Sequence, residues 1–159
     1  MSGRGGLKIV VLGGLVAGLL DIVDAFLFWS WKADVPPMRI GQSIAGGWMG
    51  EAAYRGGWGT FALGMVSHFG IAVAMALIFF AVAKLVPLIA RHAVVLGAVY
   101  GVALYAVMTY VVVPMSIATV GQTPRYPPNI DVVFLNALFC HVVLVGMVIG
   151  VFTKRAVKA

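Results

Sequence analysis

The sequence predicts an all-α integral membrane protein, a four-helix bundle with a short amphipathic helix in its first outer loop. Three observations predict it. Hydrophobic residues make up 62% of the chain and charged residues only 10%, against roughly 45–50% and about 25% in soluble domains. Four apolar runs are each long enough for a hydrocarbon core, which takes about 20 residues of helix. Twenty glycines are the small residues that let membrane helices approach closely. At 159 residues the chain 1–159 is a single domain by length, and a soluble fold of that size has too small a core to hide so much apolar surface.

The first span is expected over about 7–31. Arg4 and Lys8 ahead of it resemble a signal peptide, but the apolar run is too long for a signal core and carries Asp21 and Asp24. Gly14 and Gly18 form a GxxxG pair on one face with Ala17, Asp21, Asp24 and Ala25. The outer helix is expected over about 37–49, opened by Pro36-Pro37. There Ile40, Ile44 and Trp48 recur every four residues, with Arg39, Gln42 and Ser43 off the stripe, as in a helix lying on a membrane surface. A re-entrant segment is the alternative. Glu51 and Arg55 have the spacing of a helical ion pair.

The remaining spans are expected over about 58–83, 93–115 and 132–152. Pro87 and Arg91-His92 punctuate the second and third, Pro114 closes the third, and Gly121 to Pro128 forms a turn-rich approach to the fourth. Gly97/Gly101 and Gly146/Gly150 are further GxxxG pairs, expected to be helix-packing surfaces. The two halves also echo each other. Leu12-Gly13 corresponds to Leu96-Gly97, Phe61 precedes His68 as Phe134 precedes His141, and Pro36-Pro37 corresponds to Pro127-Pro128, the pattern of a parallel repeat.

With the N-terminus inside, Arg4, Lys8, Lys84, Arg91, Lys154, Arg155 and Lys158 are cytoplasmic, and Lys32, Arg39, Arg55 and Arg125 are outside. That seven-to-four split predicts a bacterial inner membrane protein with both termini cytoplasmic. Trp29, Trp31, Trp48 and Trp58 then fall at the outer boundary as an aromatic belt; a quinone or chromophore clamp is the sharper alternative. The net charge of +6 is scattered rather than gathered into a stripe, which argues against a nucleic-acid partner. Membrane lipid is the expected surrounding. The lone Cys140 excludes an internal disulfide and any CxxC motif.

Ionisable groups inside a span usually face the bundle interior or mark a functional site. Counted from the outer ends, Asp21, His68 and His141 each lie about ten residues in, roughly 15 Å deep. Tyr105 reaches a similar level, while Asp24 and Asn136 lie nearer the outer surface. Gly64 and Ala72 leave room beside His68. In the plainest reading these groups fasten the bundle through bonds worth ~0.6 kcal/mol each. Three sharper readings compete: a proton relay or pH sensor, bis-histidine ligation of haem b by His68 and His141, and a divalent metal site on those two histidines with one or both of Asp21 and Asp24. Cys140 reads as a small buried hydrophobe, and His92 as solvated.

No nucleophile elbow, P-loop, HExxH or dinucleotide fingerprint occurs, so no enzyme is expected. The leading expectation is a structural or accessory membrane component, acting as a homo-oligomer or as a subunit of a larger membrane complex, without a cofactor. A proton-responsive or ion-conducting protein using Asp21, His68 and His141 is the alternative, and a haem or metal binder the second.

The Gly/Ala-rich first helix (LGGLVAG), the mid-helix His68, the P-M-S turn at Pro114–Ser116, the Pro127-Pro128 pair and His141 together resemble the small inner-membrane proteins of bacteria that include the YagU family. That resemblance implies an association with survival in acid. The short first outer loop and the aspartates of the first helix depart from the family pattern.

Overall fold

A computed structural model describes residues 3–119 and 125–158. The expected turn at residues 121–124 lies outside the described residues, as does the Arg4 side chain. Among the described residues six α-helices follow in order: α1 (Gly3–Ala33), α2 (Pro37–Met49), α3 (Gly57–Leu85), α4 (Pro87–Arg91), α5 (Ala93–Met115) and α6 (Val132–Ala156). A 3₁₀ segment, Gly50–Arg55, joins α2 to α3. Among the described residues there is no strand.

Four of these helices, α1, α3, α5 and α6, are long and apolar enough to cross a membrane, with mean hydropathies of 1.9 to 2.5. Their outward faces carry Leu19, Leu27, Val66, Ile78, Val95 and Val99, all well exposed. Continuous apolar surface on that scale suits lipid and not water. The protein is a multi-pass membrane protein by this measure, and its spans begin and end within a few residues of those expected.

Glycine decides how the spans meet. A Cβ added at Gly14 would come within 2.7 Å of the Val73 Cα, and one at Gly18 within 3.0 Å of Ala72 and Phe69, so α1 crosses α3 at close range. On the other side, a Cβ at Gly97 or Gly101 would strike the backbone of α6, and one at Gly146 or Gly150 the backbone of α5. Both GxxxG pairs are consumed by each other. Gly13 lies against the Phe152 ring and Gly6 against the Ala156 carbonyl, which seats α6 along α1.

Neighbouring spans run antiparallel, in the order α3, α1, α6, α5. The ring closes where Tyr100 Oη donates to the Met75 carbonyl at 3.1 Å and its ring lies 5.0 Å from Phe79. Each half is thus an antiparallel helix pair. His68 meets Gly18 in the first, and the His141 backbone meets Gly101 in the second. Lys8, Lys84, Arg91, Lys154, Arg155 and Lys158 gather at one end of the bundle, here the basic end. Asp34, Glu51 and Asp131 lie at the other. The apolar core, centred on Val10, Ala17, Ala76, Phe79, Val145 and Ile149, fills the half nearer the basic end.

After α1, Asp34 turns the chain with φ 52°, a left-handed conformation that Asp tolerates better than most residues. Pro37 then opens α2 as expected. The buried face of α2 differs from the expected stripe: Ile40, Gly41, Gln42, Ala45 and Gly46 are buried, whereas Ile44 is half-buried and Trp48 is 64% exposed. The reason is a glycine crossing, in which Gly64 of α3 meets the Gly41 carbonyl. Gln42 Nε2 donates to the Gly57 carbonyl at 3.3 Å and Trp48 Nε1 to Ser67 Oγ at 2.9 Å.

The far end of α2 reaches Ser116 and Ile117 beyond α5, so α2 bridges two spans. The Glu51–Arg55 pair does not form, because the segment is 3₁₀ and aligns residues three apart instead of four. Arg39 lies over the Tyr54 ring at 5.2 Å. Gly64→Leu is expected to expel α2 while the four spans stay together, at a cost of about 1–3 kcal/mol. Limited proteolysis checks this: cleavage within residues 50–56 should accelerate while the core fragment persists.

Candidate functional site

The polar side chains of the spans meet along the seam between α1 and α6. Because the two helices are antiparallel, Asp21 lies level with Cys140 and Asp24 with Asn136, one helical turn apart. The Cys140 thiol donates to Asp21 Oδ1 at 2.9 Å, and Asn136 Nδ2 donates to Asp24 Oδ2 at 2.8 Å. Small residues, Ala25 and Ala137, keep the seam open.

A groove of about 130 Å³ follows, lined by Asp21, Asp24, Asn136, Cys140 and His141, with Phe28, Trp29 and Val133 at its mouth. It descends from Trp29 to Asp21, eight residues of helix or about 12 Å, and has room for several waters. Farther along α1 and α6 toward the basic end, Ala17, Val145, Val10 and Ile149 are each 5% exposed or less, and none of them lines the groove. The groove opens toward the acidic end and is closed by the apolar core toward the basic end.

The histidines have distinct settings. His68, on α3, brings Nε2 within 2.8 Å of the Gly18 carbonyl. A carbonyl only accepts, so Nε2 carries the proton. The same nitrogen is 3.8 Å from Asp21 Oδ2, too long for a hydrogen bond but close enough for an imidazolium to be attracted. His141 donates from Nδ1 to the Ala137 carbonyl of its own helix at 2.8 Å, which leaves the Nε2 lone pair as a proton acceptor. Its ring stands edge-on to Tyr105, with centroids 5.8 Å apart, and Tyr105 stands likewise to Phe134 at 5.7 Å.

The expected constellation is thus largely brought together. Asp21 joins His68 to Cys140 across three helices, and His141 lines the same groove, braced by Tyr105. Asp24 forms a second rung with Asn136. Two participants, Cys140 and Asn136, were not expected in the cluster. The signal for them lay in the sequence: Asp21 and Asp24 are three apart, and Asn136 and Cys140 four apart. Two antiparallel helices bring such pairs into register.

The backbone of α6 changes to a π-helix over Cys140–Met147, a form often found at functional sites. It begins at the residue that meets Asp21.

The residues do not fit a haem or a metal ion. His68 turns Nε2 to a backbone carbonyl, and the groove is smaller than the ~300 Å³ at which small-molecule sites begin. Among the described residues, no group of three or more His, Cys, Asp or Glu side chains is arranged to hold a metal ion. The tryptophans hold no clamp either: Trp31, Trp48 and Trp58 are exposed, and only Trp29 touches the groove. Compared with family models, curated proteins and solved structures, the chain matches none.

Proposed function

We propose that the protein is a non-enzymatic, proton-responsive component of a bacterial inner membrane, in which Asp21 takes up a proton that enters from one side only. The observation that carries this reading is the contact of one carboxylate with His68 and Cys140 on two other helices, at the foot of a groove closed below by apolar side chains. A proton arriving along the groove meets Asp24, Asn136 and the free Nε2 of His141 before Asp21. Neutralising Asp21 would weaken its attraction for His68 and loosen the α1–α3–α6 junction, a local charge change with a wider readout. The apolar floor favours response over conduction. The resemblance to YagU-like proteins, with their association with survival in acid, supports the same reading.

The basic end lies in the cytoplasm, following the bias of Lys and Arg, and the groove opens to the outer face. A role as a homo-oligomer or accessory subunit draws no support from the glycine pairs, which are occupied within the chain.

Infrared titration of the purified protein in lipid tests the proposal. A protonated-carboxyl band should grow as pH falls, while vesicles containing the protein conduct protons no faster than empty ones. Because Asp24, Asp34, Glu51 and Asp131 contribute to the same band, the decisive comparison is with Asp21→Asn: a pH-dependent carboxyl signal identical to the parent's removes the reading. Orientation is checked separately in a Cys140→Ala background. A membrane-impermeant thiol reagent applied to intact cells stripped of their outer membrane should label Ile130→Cys and spare Lys158→Cys.

A further inference from the structure

A second concavity lies at the basic end, unrelated to the Asp21 groove. It has a volume of about 310 Å³ and is lined by Val94, Val151, Lys154, Arg155 and Lys158. Val151, Lys154 and Arg155 of α6 and Lys158 in the turn just beyond it recur at intervals of three, one and three, which places them along one flank. Val94 belongs to the first turn of α5 and closes the other side. Among the described residues, none of the three cations has an acidic side chain within ion-pair distance. Arg155 is steadied over the Phe152 ring at 5.8 Å. Cations in a last helical turn offset the negative end of the helix dipole, but that end amounts to only about half a charge. Three cations exceed it.

We propose that this groove holds the headgroup of an anionic phospholipid that carries two phosphates. The site lies at the ends of two spans, where headgroups are found, and basic pockets between spans suit such lipids. Val94 and Val151 give the acyl chains an apolar wall directly below the charges. A single phosphodiester would neutralise one of the three cations, whereas a bis-phosphate headgroup matches the cluster more closely. The apolar wall also favours a lipid over free phosphate. This assignment is independent of the Asp21 proposal and survives its failure.

The test is binding of cardiolipin, phosphatidylglycerol, phosphatidylcholine and inorganic phosphate to the full-length protein in a neutral detergent. Cardiolipin is expected to bind tightest. The exposed triple variant Lys154→Gln/Arg155→Gln/Lys158→Gln should weaken it on the order of 100-fold, taking each surface charge at about fivefold. A triple of equal charge at the same end, Lys8→Gln/Lys84→Gln/Arg91→Gln, should keep the parental affinity. Val151→Trp, which fills the groove without changing charge, should lose it. Equal weakening by both triples would overturn the site in favour of diffuse attraction. Equal binding of cardiolipin and phosphatidylglycerol, or of phosphatidylcholine, would overturn the bis-phosphate assignment, and phosphate alone reproducing the signal would overturn the lipid.

Discussion

Gly146→Leu is expected to separate α5 from α6 and to cost at least about 3 kcal/mol, the upper end for overpacking a tight interface. At this crossing the neighbours of Gly146 are the Gly97 carbonyl and the backbone of Gly101. A side chain placed there meets main chain on the facing helix, which has no rotamer with which to yield. The loss also travels, because Gly101 faces the His141 carbonyl and so fixes the level of that residue in the groove. Gly70→Leu is the matched control, since nothing lies within 4 Å of a Cβ at that position. Thermal unfolding in detergent, read by loss of a monodisperse elution peak, should place the first variant far below the parent and the second beside it. Equal behaviour of the two would mean that α5 and α6 are not held by this contact.

Asp21→Asn is expected to remove part of the pH-dependent carboxyl signal while leaving the fold nearly intact. Its bonds within the bundle are of the kind that average ~0.6 kcal/mol in a membrane protein, and Asn retains an oxygen for the Cys140 thiol. His68 keeps its bond to the Gly18 carbonyl in either case. Asp24→Asn is the companion variant, because it alters the bond to Asn136 and leaves the approach of Asp21 to His68 in place. If the cluster served only to fasten the bundle, the result would be reversed: Asp21→Asn would lower the unfolding temperature and leave the pH response unchanged. Fluorescence from Trp29, at the mouth of the groove, offers a second readout on the same variants once Trp31, Trp48 and Trp58 are replaced by Phe.

Much of this arrangement was legible in the sequence because lipid imposes simple rules. Span length follows from bilayer thickness, so the four helices could be located without knowing how they pack. The positions of Gly14, Gly97 and Gly146 announced close crossings, but glycine does not name its partner. Whether these faces meet each other or a second chain became clear only from the contacts. The α2 helix was legible as a helix from Pro37 and its apolar spacing. Its buried face was not, because Gly41 and Ala45 oppose Gly64 through an absence of side chain, which hydrophobic periodicity cannot register. Cys140 was overlooked for a similar reason: a lone thiol in an apolar run resembles packing until a carboxylate is placed beside it.

The seam between α1 and α6 also bears on how the protein is made. The helix that carries Asp21 and Asp24 is the first of the four spans to leave the ribosome, while Asn136 and Cys140 arrive on the last. Until the fourth span emerges, Asp24 lacks its Asn136 partner and Asp21 has only His68 of α3 nearby, and a charged carboxylate left at mid-bilayer costs about 2.5–3.5 kcal/mol. The first span therefore has reason to linger in the insertion machinery until its partner emerges. Chains stalled before the fourth span would display both aspartates, and a membrane protease could recognise them by that exposure alone.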